Sequence, residues 1–365
     1  MKLENYVLEK SIGKGAFGEL YLTSIKDDSK KYATKKILRE EIENNGSMNY
    51  LRNEIAILQY LNHRNIVKLK EVKKSKKHFF IIFEYCNGGK LSQALKKYKE
   101  KYGKPFDEKI VQHFMKQIIS AFKYMHEKKI IHRDIELENI LLNYDNEEDE
   151  KNFNLMNANI NIIDLGFACK IEKDCIEKNL IGSFINTDPL ILKEYSSNKK
   201  TKQFVYNEMT DIWSIGAICY EMLIGKPIFY SENIDESVKN IEEGTYTIPI
   251  TMSHEAVSFL NGMLQYDSKR RLTAVQLSKH DFLNKDSKDF HSINLQKVSM
   301  LVNEKQLKIN VKNNDFIWSI FNVETEKFLI SIEGKQLIKP IDKTEKIEFE
   351  NLEKEELNKE KMEEK

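Results

Sequence analysis

The chain has 365 residues, of which 41% are apolar and 32% charged. That length exceeds one average domain and suits a large two-lobed unit with an extension, its core lying beneath a highly charged surface. With 58 Lys and Arg against 57 Asp and Glu, the balance gives no electrostatic case for nucleic acid or a membrane as the main partner.

The N-terminal MKLENYVLEK lacks the apolar run of a secretory signal. Residues 6–37 alternate apolar and polar and break at glycines, which predicts strands joined by tight turns. Within them, IGKGAFGELY (12–21) spaces Gly13, Gly15 and Gly18 as GxGxxG. Glycines let backbone N–H groups approach a polyphosphate. The same spacing serves dinucleotide binders where it joins a strand to a helix. Here Glu19-Leu20-Tyr21-Leu22 continues as strand, so the glycines tip a hairpin. In YATKKI (32–37), alternation puts Ala33 and Lys35 on one face. That favours Lys35 over Lys36 as a phosphate ligand, beside a small residue leaving room for a base.

Residues 47–62 place Leu51, Ile55, Leu58 and Leu61 at helical spacing and carry Glu54, nineteen positions after Lys35. A strand lysine and a helix glutamate can pair and aim the ammonium at phosphates. Strands are predicted again at IVKLKEV (66–72) and HFFIIFEY (78–85). After Asn87-Gly88-Gly89 the pattern becomes long amphipathic helices. A β-rich first part and an α-rich second part imply two lobes with a cleft between them.

HRDIELEN (132–139) holds Asp134 and Asn139 five positions apart. The polar stretch 144–158 reads as a surface insertion in a hairpin. INIIDLGFA (160–168) ends an apolar strand at Asp164, with Gly166 two residues on. A carboxylate there can hold Mg²⁺ bridging two phosphates. IWSIGAICYEMLIG (212–225) is too short and polar to span a bilayer and reads as a buried helix. The four cysteines, Cys86, Cys169, Cys175 and Cys219, form no CxxC or metal-ligand spacing and read as reduced thiols of a cytoplasmic protein. Short strands are expected near 306–311 and 328–334, making 286–342 a small, β-containing extension. Phe316, Ile317, Trp318 and Phe321 there could pack as a satellite core or bind a protein partner. The Glu- and Lys-rich 343–365 reads as an exposed helix or a disordered tail.

The ordered series GxGxxG, A-x-K, helix Glu, Glu84-Tyr85, H-R-D…N, D-L-G and D-x-W-x-x-G resembles the eukaryotic protein-kinase family, serine/threonine type, over about residues 6–285. Around EIAILQYLNHRNIVKL and EYCNGGKLS the texture looks most like ULK/Fused kinases. The resemblance implies an α+β two-lobed fold over 1–285, with an N-lobe to residue 84 and a C-lobe from 85. It implies transfer of the γ-phosphoryl group of Mg·ATP to a Ser or Thr of a protein substrate. Ile12, Leu20, Ala33 and Leu141 would sandwich the adenine, with Glu84 and Cys86 presenting hinge backbone behind a bulky Phe83. Gly13, Gly15, Gly18 and Lys35 would hold the phosphates, with Glu54 pairing Lys35. Asp134 would orient the hydroxyl and accept its proton, and Asn139 and Asp164 would hold Mg²⁺. Asp211, ahead of Trp213, would brace the catalytic loop, and Leu58, Leu69, His132 and Leu165 would stack as an apolar column.

Three departures qualify that expectation. Glu136 stands where the family carries a lysine that offsets charge on the transferred group. A unit charge at about 4 Å is worth roughly 4 kcal/mol at an effective dielectric of about 20, so the swap would slow transfer about a thousandfold or more if the carboxylate replaced the ammonium in place. A swing of Glu136 into water, a pairing with a basic substrate side chain, or a binding protein with impaired chemistry are the competing outcomes. Second, Leu190 follows Pro189 where a glutamate is expected, leaving Arg271 to find another acceptor, with Asp188 nearest. Third, 167–182 contains no Ser, Thr or Tyr. The loop phosphate that Arg133 commonly receives in the family cannot be added there. Glu172, Asp174 or Glu177 could supply a standing carboxylate, against the alternative of a solvated charged loop. Ser183 is a remaining acceptor, and Glu138 could attract a basic substrate residue.

Overall fold

The structure is a computed structural model. It describes residues 5–291, except 16–17, 27, 45–47, 172–174, 196, 198, 230–239, 241–243 and 250, together with strands at 305–310, 316–322 and 327–332. Contacts divide the chain into two units: Met1–Glu232 with Glu255–Phe290, and Asn233–His254 with His291–Lys365.

In the first unit, β1 (Tyr6–Gly15), β2 (Gly18–Ile25), β3 (Lys31–Leu38), β4 (Leu69–Lys74) and β5 (His78–Glu84) form an antiparallel sheet in the order β1-β2-β3-β5-β4. Gly18 starts β2 with φ +153, where a Cβ would lie 2.2 Å from the Lys36 carbonyl oxygen. Only glycine lets β2 approach β3 so closely. Along β3, Tyr32 and Thr34 are buried on one face, and the Thr34 hydroxyl accepts from Thr23 at 2.8 Å. The alternation leaves Ala33 and Lys35 on the opposite face. A short helix, α1 (Arg39–Asn44), precedes α2 (Met48–Tyr60). Ile37, Ile42, Leu51 and Ile81 pack as the core beneath them.

Beyond β5 lie α3 (Leu91–Tyr102) and α4 (Glu108–Glu127). Val111, Phe114, Met115, Ile118, Ile119, Phe122 and Met125 of α4 are fully buried, so this helix is the axis of the second lobe. Around it, β6 (Ile130–Ile131) pairs with β9 (Cys169–Lys170), and β7 (Ile140–Asn143) with β8 (Asn159–Ile162). The 144–158 stretch joins β7 to β8 and contains α5 (Glu147–Asn152), capped by Asn146, with Glu147, Glu148, Asp149 and Glu150 in its first turn. Acidic residues at a helix N-terminus stabilise an otherwise marginal six-residue helix. Next come β10 (Cys175–Glu177), α6 (Pro189–Tyr195) and β11 (Phe204–Tyr206), with β10 paired to β11. Then α7 (Glu208–Ile224) runs buried from Thr210 to Tyr220, capped by Asn207 and closed by Gly225 in the left-handed region. It is the apolar run read from sequence as a core helix. No helix among the described residues is long and apolar enough to cross a membrane.

In the second unit, β12 (Thr245–Pro249), β13 (Lys305–Asn310), β14 (Phe316–Asn322) and β15 (Lys327–Ile332) form an antiparallel sheet in that order. Tyr246 pairs with Ile309 and Ile248 with Leu307. The sequence reading had assigned 245–249 to the α-rich lobe. Five residues of alternation do not reveal a strand partner sixty positions away, because pairing is a non-local choice. The side chains of Phe316, Ile317, Trp318 and Phe321, and the 343–365 tail, lie outside the described residues.

Candidate active site

A cleft of about 420 Å³ opens between the sheet and the helical lobe, within the range for a small-molecule site. Its walls include Ile12, Gly13, Gly18, Leu20, Ala33, Lys35 and Glu54 from the sheet side. Phe83, Glu84, Cys86, Asn139, Leu141 and Asp164 complete them. Gly15 pairs with Gly18 at the ends of β1 and β2, and the other ligand-binding residues expected from sequence line the cleft. The cleft also contains Val67 and Ile163, which sequence reasoning passed over. Both carried a signal: Ile163 precedes Asp164 on an apolar strand, and Val67 lies in the run before β4.

Lys35 reaches Glu54 of α2, Nζ to Oε2 3.4 Å. Lys36 instead lies over the Tyr21 ring, 5.8 Å from its centroid, and leaves the role to Lys35. Burial raises the pKa of Glu54, Lys35 lowers it, and the neighbouring Asp164 raises it further. The helix is tied to the far lobe: Asn53 Nδ2 donates to the Ala168 carbonyl at 2.5 Å, and Tyr50 meets Phe167 edge-on at 6.0 Å. Leu58, His132 and Leu165 are buried, and Leu69 packs against the sheet core.

Asp164 adopts a left-handed conformation, φ 59 and ψ 67, and its Oδ1 accepts from the Gly166 N–H at 3.4 Å. A non-glycine residue there is uncommon and marks a held backbone. Asn139 Nδ2 donates to Asp134 Oδ2 at 3.1 Å and to the Asp134 carbonyl at 3.0 Å. That commits the amide nitrogen and leaves Oδ1 as the atom able to meet a cation. Asp134 Oδ1 accepts from the Ser183 N–H at 2.9 Å. Gly182, at φ +91, lets that amide in: a Cβ would sit 2.3 Å from the Arg133 carbonyl oxygen. Arg133 is itself left-handed, at φ 70. The brace is the fully buried Asp211. Its Oδ1 accepts from the Arg133 N–H at 3.0 Å, and its Oδ2 from the His132 N–H at 3.0 Å. His126 Nε2 lies 2.9 Å from Oδ2.

The oxygens of Asn139 and Asp164 are the hard donors that Mg²⁺ takes, and no group of three or more His, Cys, Asp or Glu able to hold a metal occurs among the described residues. A two-residue set fits an ion that completes its shell with water and phosphate.

Comparison with known proteins decides the family. The family model described as protein kinase domain matches residues 6–283. The chain belongs to the protein kinase family. It is 29% identical over 286 residues to Aurora kinase C of Mus musculus, covering 78% of this chain and 94% of that one. It is 34% identical over 278 residues to calcium-dependent protein kinase 5 of Plasmodium falciparum, covering 75% of this chain and 44% of that one. Calcium-dependent protein kinase 4 of Plasmodium berghei is 30% identical over 315 residues, 85% of this chain and 55% of that one. The chain thus spans about half the length of these calcium-dependent relatives. The likeness to ULK/Fused kinases finds no support among these relatives.

The three departures from the kinase pattern each find a partner. Glu136 is half-buried rather than swung into water, and its side chain is hydrogen-bonded to Ser183. Burial and the nearby Asp134 and Glu138 raise its pKa. Glu138 is held by Lys90 Nζ at 2.6 Å and Ser92 Oγ at 2.5 Å, which lower its own. Arg271, with a fully buried side chain, pairs with Asp188 and also donates to the Met209 and Gln265 carbonyls. Leu190 is exposed, and its N–H donates to Asp188 Oδ1 at 2.8 Å. Arg133 Nη1 lies 2.6 Å from Glu177 Oε1, and Arg133 Nε donates to the Phe167 carbonyl at 2.6 Å. Glu172 and Asp174 lie outside the described residues.

Proposed function

We propose that the chain is an ATP-dependent protein serine/threonine kinase that passes the γ-phosphoryl group of Mg·ATP to a protein hydroxyl. The observation that carries this reading is the convergence of Lys35, Glu54, Asn139, Asp164 and Asp134 on one cleft and its mouth. In this reading Ile12, Leu20, Ala33 and Leu141 enclose the adenine, and backbone groups of Glu84 and Cys86 bind its edge beside Phe83. Gly13, Gly15 and Gly18 bring N–H groups to the phosphates, and Lys35, aimed by Glu54, neutralises them. Asn139 and Asp164 would hold the divalent ion, which would supply neutralisation of phosphate charge when bound. Asp134, fixed by Asn139 and the Ser183 amide, orients the acceptor hydroxyl and takes its proton. The relatives' names as protein kinases support a protein substrate, and a cytoplasmic setting without nucleic acid or membrane as a partner belongs to the same proposal. A protein partner at the C-terminal extension belongs to the same proposal.

A second reading, a kinase fold kept for binding with impaired transfer, is favoured by one observation: the half-buried carboxyl of Glu136 sits beside Asp134, its pKa raised. The test is phosphoryl transfer from Mg·ATP to a generic basic protein by the native chain and by Asp134→Asn. Transfer by the native chain, reduced at least a hundredfold in the variant, supports the enzyme. Equal signals from both overturn it.

A further inference from the structure

Two of the four cysteines read from sequence as reduced thiols are neighbours. Cys169 lies in β9, paired to Ile131 of β6, and Cys175 lies in β10, paired to Tyr206 of β11. Both are half-buried and pack against one apolar cluster that includes Ile131, Ile181, Phe204 and Tyr206. The sulfur of Cys175 is hydrogen-bonded to the Cys169 thiol. Its other neighbours are charged. Arg133 Nη1 donates to Cys175 Sγ at 3.3 Å, and Cys175 Sγ lies 3.7 Å from Glu177 Oε1. The remaining cysteines have no such setting: Cys219 is fully buried, and Cys86 lies in the cleft wall, its thiol pushed up to about 12 by burial.

We propose that Cys169 and Cys175 are a redox modification site, oxidised by a hydroperoxide to a reversible disulfide that staples the two ends of the 169–175 segment beside Arg133. The Cys175 sulfur attacks the terminal peroxide oxygen. An S–O bond forms, the O–O bond breaks, and water or an alcohol leaves. Arg133 Nη1, which donates to this sulfur, meets the charge that moves through it. Cys169 then attacks the sulfenic sulfur: the S–S bond forms, the S–O bond breaks, and the Cys169 proton leaves with the hydroxide as a second water. Two thiols are oxidised by two electrons and one peroxide is reduced. The Arg133 hydrogen bond falls on Cys175, which leaves the resolving role to Cys169. A thiol or dithiol reductant reverses the bond by exchange through a mixed disulfide.

The bond does not depend on phosphoryl transfer, and its test reads sulfur directly. The full-length chain is treated with hydrogen peroxide, then cleaved and mapped by mass spectrometry without reduction. The expected product is a Cys169–Cys175 cross-linked peptide, two hydrogens lighter than the reduced pair and lost on dithiothreitol treatment. Cys169→Ser blocks the second step, so dimedone then labels Cys175, while Cys175→Ser abolishes both products. The proposal is overturned if peroxide oxidises Cys86 first, or if Cys175 proceeds to sulfinic acid in the native chain with no cross-link. The native-chain experiment decides even where a variant fails to fold.

Discussion

Arg133 and Glu177 meet at 2.6 Å, the guanidinium almost wholly buried and the carboxylate at the end of a short strand. Arg133 precedes Asp134, and its Nε also holds the Phe167 carbonyl. A standing carboxylate therefore occupies the place where kinases commonly receive a loop phosphate. Its neighbour on the far side is the Tyr206 ring, 5.5 Å from the guanidinium carbon. Arg133 thus ties Glu177 and Phe167 to the loop that carries Asp134.

Replacing that carboxylate tests the fastening. Glu177→Gln removes the charge and keeps the shape. We expect a loss of about 1 to 3 kcal/mol in unfolding free energy, discounted for the partial exposure of Glu177. Phosphoryl transfer should fall at least tenfold, with phosphatase treatment of the native chain leaving its rate unchanged. Urea unfolding and initial rates measure both. A native rate that collapses on phosphatase treatment contradicts the assignment.

Asp188 gives a second test. Its carboxylate is the acid facing Arg271, whose side chain is fully buried. Asp188→Ala strands that cation and should destabilise the chain by about 3 to 5 kcal/mol. Leu190→Glu, made in the Asp188→Ala background, restores the acid at the neighbouring position where kinases carry it. We expect at least half of the stability to return, read from thermal unfolding. No rescue would show that the backbone around Pro189 cannot deliver an acid from position 190.

Much of this arrangement could be read from residue order. Lys35 is separated from Lys36 by strand alternation, Asp164 stands out at the end of an apolar strand, and Asn139 by its five-residue spacing from Asp134. Asp188 was reachable because an unpaired buried arginine must find an acceptor near Leu190. What stayed hidden were choices made across distance. The partner of Arg133 lies forty-four positions away, so Glu177 could not be told from Glu172 or Asp174 by sequence. The contact of Cys169 with Cys175, and of Tyr246 with Ile309, depends on which strands pair. Glu136 was read with its backbone position but not its environment, because burial and the Ser183 hydroxyl are set by the folded segment.

The rate effect of Glu136 follows from its charge. Glu136→Lys exchanges a carboxylate beside Asp134 for an ammonium near the transferred group. We expect transfer to rise by about ten- to a thousandfold, with Glu136→Gln giving a smaller gain. Single-turnover rates at saturating Mg·ATP measure this. An unchanged or lower rate for both would mean that the native glutamate does not oppose transfer.

Glu221 provides the pH test. Burial, with Glu136 and Glu138 nearby and Lys99 offsetting only part, pushes its pKa up to about 7. The folded chain then binds a proton that the unfolded chain has released above the ordinary carboxylate range. Stability from this group is therefore full at low pH and lost as pH rises toward about 7. Glu221→Gln should flatten that slope and be more stable than the native chain by about 1 to 3 kcal/mol above neutrality. Urea unfolding between pH 5 and pH 8 checks the sign, and a native chain whose stability is independent of this substitution contradicts it.

The central claim is that Asn139 and Asp164 assemble a divalent ion and a nucleoside triphosphate in the interlobe cleft. Calorimetric titration of ATP into the native chain and into Asp164→Asn, each with and without Mg²⁺, tests it most directly. The account predicts binding by the native chain that strengthens at least tenfold with Mg²⁺, and no metal-dependent gain in the variant. Equal binding by both proteins, or ATP affinity in the native chain that ignores Mg²⁺, would contradict it.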